Sequence, residues 1–219
     1  MKTLICLFLL SVTLISCDSI HSSWNGVHGN GELKTEERTV ATFTKVIVDG
    51  SMDVKLTAGN STQTMDIRTD SNILPLIKTE VENGTLRISS EKSFSTKKGI
   101  LVTIAVPMIE AVRVNGSGDV AVKNINSETF SVDVHGSSDM AFQGTAKNFS
   151  VGIYGSGDVN AVNLNSETST IKINGSGDVD VTCTSSLTVN INGSGDVTYG
   201  GNPTNVKKVI NGSGDCSKR

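Results

Sequence analysis

Asn115-Gly116-Ser117-Gly118-Asp119-Val120 is one copy of a block that runs down the second half of the chain. It returns as His135-Gly136-Ser137-Ser138-Asp139-Met140 and as Tyr154-Gly155-Ser156-Gly157-Asp158-Val159, and further copies begin at Asn174, Asn192 and Asn211. The first glycines lie 20, 19, 20, 18 and 19 residues apart. A fixed period near 20 marks a stacked solenoid, in which each repeat is one supersecondary unit. An earlier relative, Asp49-Gly50-Ser51-Met52-Asp53-Val54, has its glycine 66 residues before Gly116.

Counting from the first glycine of each copy, apolar residues stand two and four places before it and four and six places after it. Val112, Val114, Val120 and Val122 are one such set; Ile171, Ile173, Val179 and Val181 are another. Polar residues such as Arg113, Lys172, Asn160 and Asp180 alternate with them. This is a period of two on both sides of a Gly-rich turn, rich in β-branched residues. Each copy therefore reads as strand, sharp corner, strand. One such coil cannot bury its apolar face alone, and stacking coils at ~4.8 Å gives a continuous narrow core. In a meander or sandwich of hairpins, turns need not recur in phase with both flanking strands, as they do here. The expectation is an all-β, single-domain parallel β-helix with coils of about 19–20 residues. Ile125, Phe130, Phe149, Leu164 and Leu187 supply a third short side.

Residues 39–110 keep strand character but lose the strict period, so larger coils and a capping hairpin are expected there. Asn83-Gly84 is a strong hairpin turn. Regular repeats occupy 111–219. At the far end Lys208 replaces the apolar residue four places before Gly212, which protects an open edge with charge.

The N-terminus is a targeting segment. Lys2 precedes an apolar stretch, Leu4 to Ile15, too short to span a membrane. It ends in Leu14-Ile15-Ser16-Cys17, which resembles the bacterial lipobox. The expectation is a signal over 1–16, acylation of Cys17, membrane attachment through that lipid, and a flexible tether over 17–38. Asp18-Ser19-Ile20 resembles a short O-glycosylation acceptor. Without Lys2 the basic residues number 19 − 1 = 18 against 22 acidic, a net charge of −4. That balance gives no reason to expect nucleic acid as a partner. Aromatics are only 4 % of residues, which argues against an aromatic-lined sugar groove. Cys183 and Cys216 fall two coils apart, beyond disulfide reach, and Cys216 takes an inward apolar position.

The candidate chemistry is the aspartate three places past each first glycine: Asp53, Asp119, Asp139, Asp158, Asp178, Asp196 and Asp215. Stacked at ~4.8 Å, neighbours repel by roughly 0.9 kcal/mol in water. Two readings fit. The carboxylates accept backbone N–H groups in the corner, with Ser beside them doing likewise, the second Gly taking positive φ, and Asn115, Asn174, Asn192 and Asn211 forming an amide ladder. Alternatively they form a column of Ca²⁺ sites. Turn chemistry accounts for every position of the copy; calcium accounts for the Asp alone. A polysaccharide-acting enzyme would need acids joined to a base at one singular place, whereas these acids are equivalent. His135 replaces Asn in the ladder and reads as an exposed substitution. No cofactor is implied.

Phe43 to Val54, Val102-Thr103-Ile104-Ala105-Val106-Pro107 and Val112 to Val120 together resemble a bacterial family of unknown function labelled "putative auto-transporter adhesin, head GIN domain". The resemblance covers about residues 39–215. It implies a β-helical, exported or lipid-anchored protein and supplies no catalytic residues. The functional expectation is a non-enzymatic, adhesin-like module of the cell envelope, at the outer membrane, that binds glycan or protein. A polysaccharide-acting enzyme and a purely structural envelope protein are the alternatives.

Overall fold

The computed structural model describes residues 25–219. Among them the only helix is a single 3₁₀ turn, Leu74–Leu76. The signal, Cys17 and Asp18-Ser19-Ile20 lie outside the described residues.

In the first half the strands are β1 (Val27–His28), β2 (Leu33–Glu37), β3 (Lys45–Asp49), β4 (Asp53–Thr57), β5 (Thr64–Asp70), β6 (Ile77–Glu82), β7 (Thr85–Ser90), β8 (Phe94–Ser95) and β9 (Leu101–Ala105). The second half continues with β10 (Ala111–Gly116), β11 (Val120–Gly136), β12 (Met140–Gly155), β13 (Val159–Gly175), β14 (Val179–Gly193), β15 (Val197–Gly200), β16 (Asn205–Gly212) and β17 (Cys216–Lys218).

From β10 onward every pairing is parallel, and like residues fall above like. Val114 pairs with Val134, Val134 with Ile153, Ile153 with Ile173, Ile173 with Ile191 and Ile191 with Ile210. These inward columns are buried, apart from the half-buried Tyr199, Val206 and Ile210 and the exposed Lys208 of the last coils. The alternation thus does what the period-two pattern demands: one face of each strand enters the core, and the other meets solvent. Phe130 and Phe149 occupy the same height in successive coils and stack at 6.0 Å, with Phe142 edge-on to Phe130 at 5.2 Å. Ser169 takes the next place in that column and shares a 2.7 Å hydrogen bond with the hydroxyl of Ser166.

The unequal repeat lengths are absorbed away from the corner. Between β13 and β14 the register jumps from Ala161/Val181 to Asn165/Thr182 and again between Ser166/Cys183 and Thr168/Ser186. The flanking strands and both glycine corners stay aligned.

The first copy joins the same stack. β3 pairs with β10 and β4 with β11, so the Gly50 corner lies against the Gly116 corner despite 66 intervening residues. The excursion between them forms the expected larger coil and capping hairpin, stacked out of sequence order. It returns beneath the first coil, where β7 pairs in parallel with β3 and β9 with β4. β6 then runs antiparallel to β7 through the expected Asn83-Gly84 turn, where both residues have positive φ. β5 runs antiparallel to β9, and β2 to β5. These antiparallel strands close one end of the stack, as repeat arrays require.

The tether expected over 17–38 needs correction for residues 25–38. They belong to the folded domain, through β2 on β5 and β1 on β8. The cause is Asp70, fully buried, whose Oδ1 accepts the Gly31 N–H at 2.5 Å and whose Oδ2 accepts the Lys97 N–H at 3.1 Å. A Cβ on Gly29 would stand 2.6 Å from the same carboxylate. Asn72 adds bonds to His28 O and the Asn30 N–H. Polar composition signalled flexibility here; the partners that order the segment lie some 40 residues downstream.

Two outcomes are expected. Asp70→Ala leaves the part-buried Gly31 and Lys97 N–H groups without their acceptor and lowers stability by about 2 kcal/mol in denaturant unfolding. Gly177→Ala places a Cβ 2.0 Å from the Gly157 carbonyl and costs about 3 kcal/mol or more, whereas Ser156→Ala, on the exposed side of a corner, changes stability by less than about 0.5 kcal/mol.

Candidate functional site

The repeated corner is the most distinctive structure in the molecule. From the Gly136 corner onward, the Ser N–H donates to the carbonyl of the first Gly in the preceding coil, as Ser137 to Gly116 O at 3.0 Å and Ser176 to Gly155 O at 2.9 Å. The next residue after the Asp points its N–H the other way, as Val159 to Asp178 O at 2.8 Å. That leaves the N–H of the Asp itself without a backbone acceptor in the neighbouring coil. The side chain of the preceding Asp supplies one. Asp119 N donates to Asp53 Oδ1, Asp139 N to Asp119 Oδ1, Asp158 N to Asp139 Oδ1, Asp178 N to Asp158 Oδ1, Asp196 N to Asp178 Oδ1 and Asp215 N to Asp196 Oδ1. The distances run from 3.4 Å at Asp158 down to 2.7 Å at Asp196 and Asp215. Each carboxylate therefore holds the coil that follows it, and this attraction to an N–H dipole offsets the repulsion along the column.

The two glycines differ in backbone conformation. The first, not the second, takes positive φ, as 141° at Gly136 and 146° at Gly193. Both rest closely on the corner beneath: a Cβ would meet a backbone carbonyl oxygen at 2.1 Å on Gly155 and at 2.2 Å on Gly157, although Ser138 takes the second place in one copy.

The column one place before each corner is an amide ladder at its upper end, Asn192 Nδ2 to Asn174 Oδ1 at 3.1 Å and Asn211 Nδ2 to Asn192 Oδ1 at 3.0 Å. At its lower end Asn115 Nδ2 donates to Asp49 Oδ1 at 2.6 Å, and Arg87 pairs with Asp49. In the middle, His135 and Tyr154 replace the amides and stack face to face, 4.6 Å apart and 9° from parallel. Lys172 lies 5.8 Å from the Tyr154 ring centre. Both residues occupy the ladder position of adjoining copies, a signal present in the sequence but not drawn from it.

Among the described residues, the groups with displaced titration are two surface ion pairs and one buried thiol. Glu91 accepts a hydrogen bond from Lys78, holding the lysine above its usual range and the carboxyl below it; Glu128 raises Lys147 in the same way. All four are on the surface. Burial raises the Cys216 thiol, and Cys183 is also a free, buried thiol that donates to the Ser186 carbonyl. Among the described residues, no three His, Cys, Asp or Glu side chains form a group able to hold a metal ion.

The ladder makes a separable prediction. Asp178→Ala removes the acceptor for Asp196 N–H and costs about 1 kcal/mol. Asp178→Asn keeps an acceptor oxygen and removes one charge from the column, so its stability stays within about 0.5 kcal/mol of the parent or exceeds it at low salt. The melting temperature is expected to be the same with Ca²⁺ and with chelator; a calcium-dependent rise abolished by Asp178→Asn would restore the calcium column.

Known proteins bear on the same fold. No curated protein matches the chain. A crystal structure of a "putative adhesin" from Bacteroides fragilis is similar, with TM-score 0.70 and 23% identity, covering 89% of this chain and 100% of that one. A "putative adhesin" from Parabacteroides distasonis gives TM-score 0.58 and 21% identity, with 89% and 100% covered. A "putative lipid binding protein" from Parabacteroides distasonis gives 0.58 and 22%, with 88% and 99% covered. At these identities the likeness concerns fold. Residues 42–203, which span the first corner and the stack through β15, match a family directly, and the chain belongs to the family described as "Putative auto-transporter adhesin, head GIN domain".

Proposed function

We propose that this chain is a non-enzymatic binding module of the bacterial cell envelope, anchored by lipid on Cys17 in the outer membrane, with a glycan or protein as ligand. The observation that carries this reading is the commitment of the repeated acids. Six aspartates in succession accept a backbone N–H from the next coil, so the conspicuous carboxylates belong to the frame. A glycosidase-type site needs two carboxyl groups with different surroundings and different proton affinities. The ladder offers equivalent ones. What the frame presents outward is a set of flat, regular, polar strand faces suited to contact. The family description supports an adhesin-like role.

Folding of residues 25–38 into the domain changes where a soluble form should begin. The chain from Asp18 onward retains every described residue, and a form starting at residue 39 would expose β5.

Two measurements test the proposal. Metabolic labelling with a fatty-acid analogue should mark the full chain and fail on Cys17→Ser, which should also leave the membrane fraction. The chain from Asp18, applied to glycan and protein arrays, should bind a restricted set of ligands without consuming them. Turnover of a polysaccharide by that protein would replace the proposal with the enzyme alternative. Silence on every array, together with an envelope defect on deletion, would favour a structural role.

A further inference from the structure

In a near-symmetric stack, the exceptions to symmetry are where a specific function can reside. One exception lies on the outward face just past the corner. Five places after each first glycine, the stacked column runs Lys55, Ala121, Ala141, Asn160, Asp180, Thr198. Two alanines in register remove side-chain bulk at one height. They leave an open hollow of about 590 Å³. Asp119 and Asp139 flank it along the corner. Lys55 stands at one end, and the excursion adds two cations that no repeat supplies, Arg68 on β5 and Lys98 in the loop before β9.

Asp53 also lines the hollow. None of these three cations and three carboxylates forms an ion pair, although they share one cavity. The carboxylates are held in place by the ladder: Asp119 Oδ1 accepts Asp139 N at 3.3 Å, and Asp139 Oδ1 accepts Asp158 N at 3.4 Å. One oxygen of each is committed, and the other remains to accept from a ligand. Fixed acceptors lose little freedom on binding.

We infer that the hollow binds an acidic oligosaccharide. Its carboxylate or sulfate meets Lys55, Arg68 and Lys98, and its neighbouring hydroxyls donate to Asp119 and Asp139. The alanine floor accepts the flat C–H face of a sugar ring. A nucleic acid fits poorly, because its closely spaced phosphates would face the aspartate column. The hollow is shallow and lacks a deep apolar pocket of the kind that anchors a peptide side chain. No aromatic ring lines it, so single-site affinity is weak, with Kd on the order of 0.1–1 mM. This inference rests on the binding-module proposal and names one site within it.

The test is an NMR titration of the chain from Asp18 with trigalacturonate, a sulfated disaccharide and neutral maltotriose. One or both acidic sugars should shift the Ala121 and Ala141 amides, at least about tenfold more tightly than maltotriose and with loss of affinity in salt. Lys55→Ala combined with Lys98→Ala should weaken that binding by about fivefold or more. Ala141→Gln fills the floor without adding charge; it should abolish the shifts while leaving the melting temperature unchanged. No shift by either acidic sugar at about 10 mM overturns the inference. Shifts that map elsewhere, or that survive Ala141→Gln, overturn it as well. In those cases array ligands bound by the same protein would leave the broader binding-module proposal standing.

Discussion

Contact between the backbones of successive corners governs the rest of this molecule. A hypothetical Cβ on Gly155, Gly175 or Gly193 would sit within 2.1 Å of the carbonyl oxygen below. Corners can approach so closely only where the chain carries no side chain, and once they do, the register of both flanking strands is set. The apolar columns then align without further instruction, because a shift by one residue would turn every inward valine toward water. The aspartate ladder completes the corner by satisfying the N–H that this geometry leaves outside the strand bonding. Packing, polar satisfaction and local sequence agree at each coil, and that agreement makes the stack specific.

Much of this was legible in the sequence because the repeat states it several times over. Val112, Val114, Val120 and Val122 fall inside as their alternation requires, and the Asn83-Gly84 turn makes the hairpin its dipeptide signals. The assignment of positive φ to the second glycine failed for a physical reason: both glycines rest on the corner beneath, only the first also takes positive φ, and the two demands look alike in sequence. The course of the excursion was not legible either. Nothing in residues 85–105 announces that β7 and β9 return beneath the first coil, since a parallel partner contributes no local signal. The N-terminal segment was misread for a related reason. Its order depends on Asp70 and Asn72, and a polar segment with distant partners resembles one with none.

The same distinction applies to the candidate site. The repeated Asp and Asn residues drew attention by recurrence, and their geometry accounts for them as architecture. Lys55, Arg68 and Lys98 did not stand out, since each is a single cation in a different local context. Their meeting beside Ala121 and Ala141 is a product of the fold alone. His135 and Tyr154 are intermediate: both sit at a ladder position, but their stacking depends on two unrelated substitutions falling in adjoining coils.

The register jumps downstream of the corners, at Val122/Ile125, Ala141/Gln143 and Ala161/Asn165, set what changes of length the stack can absorb. Repeats of unequal length fit there because the corners and the strands beyond the jumps stay in register. Duplication of a whole coil is equally permissible, and each added unit displaces everything beyond it by one strand spacing, about 4.8 Å. Reach can thus change in fixed steps and one flank by small increments, while a side chain at the first glycine of a corner would break the contact beneath it.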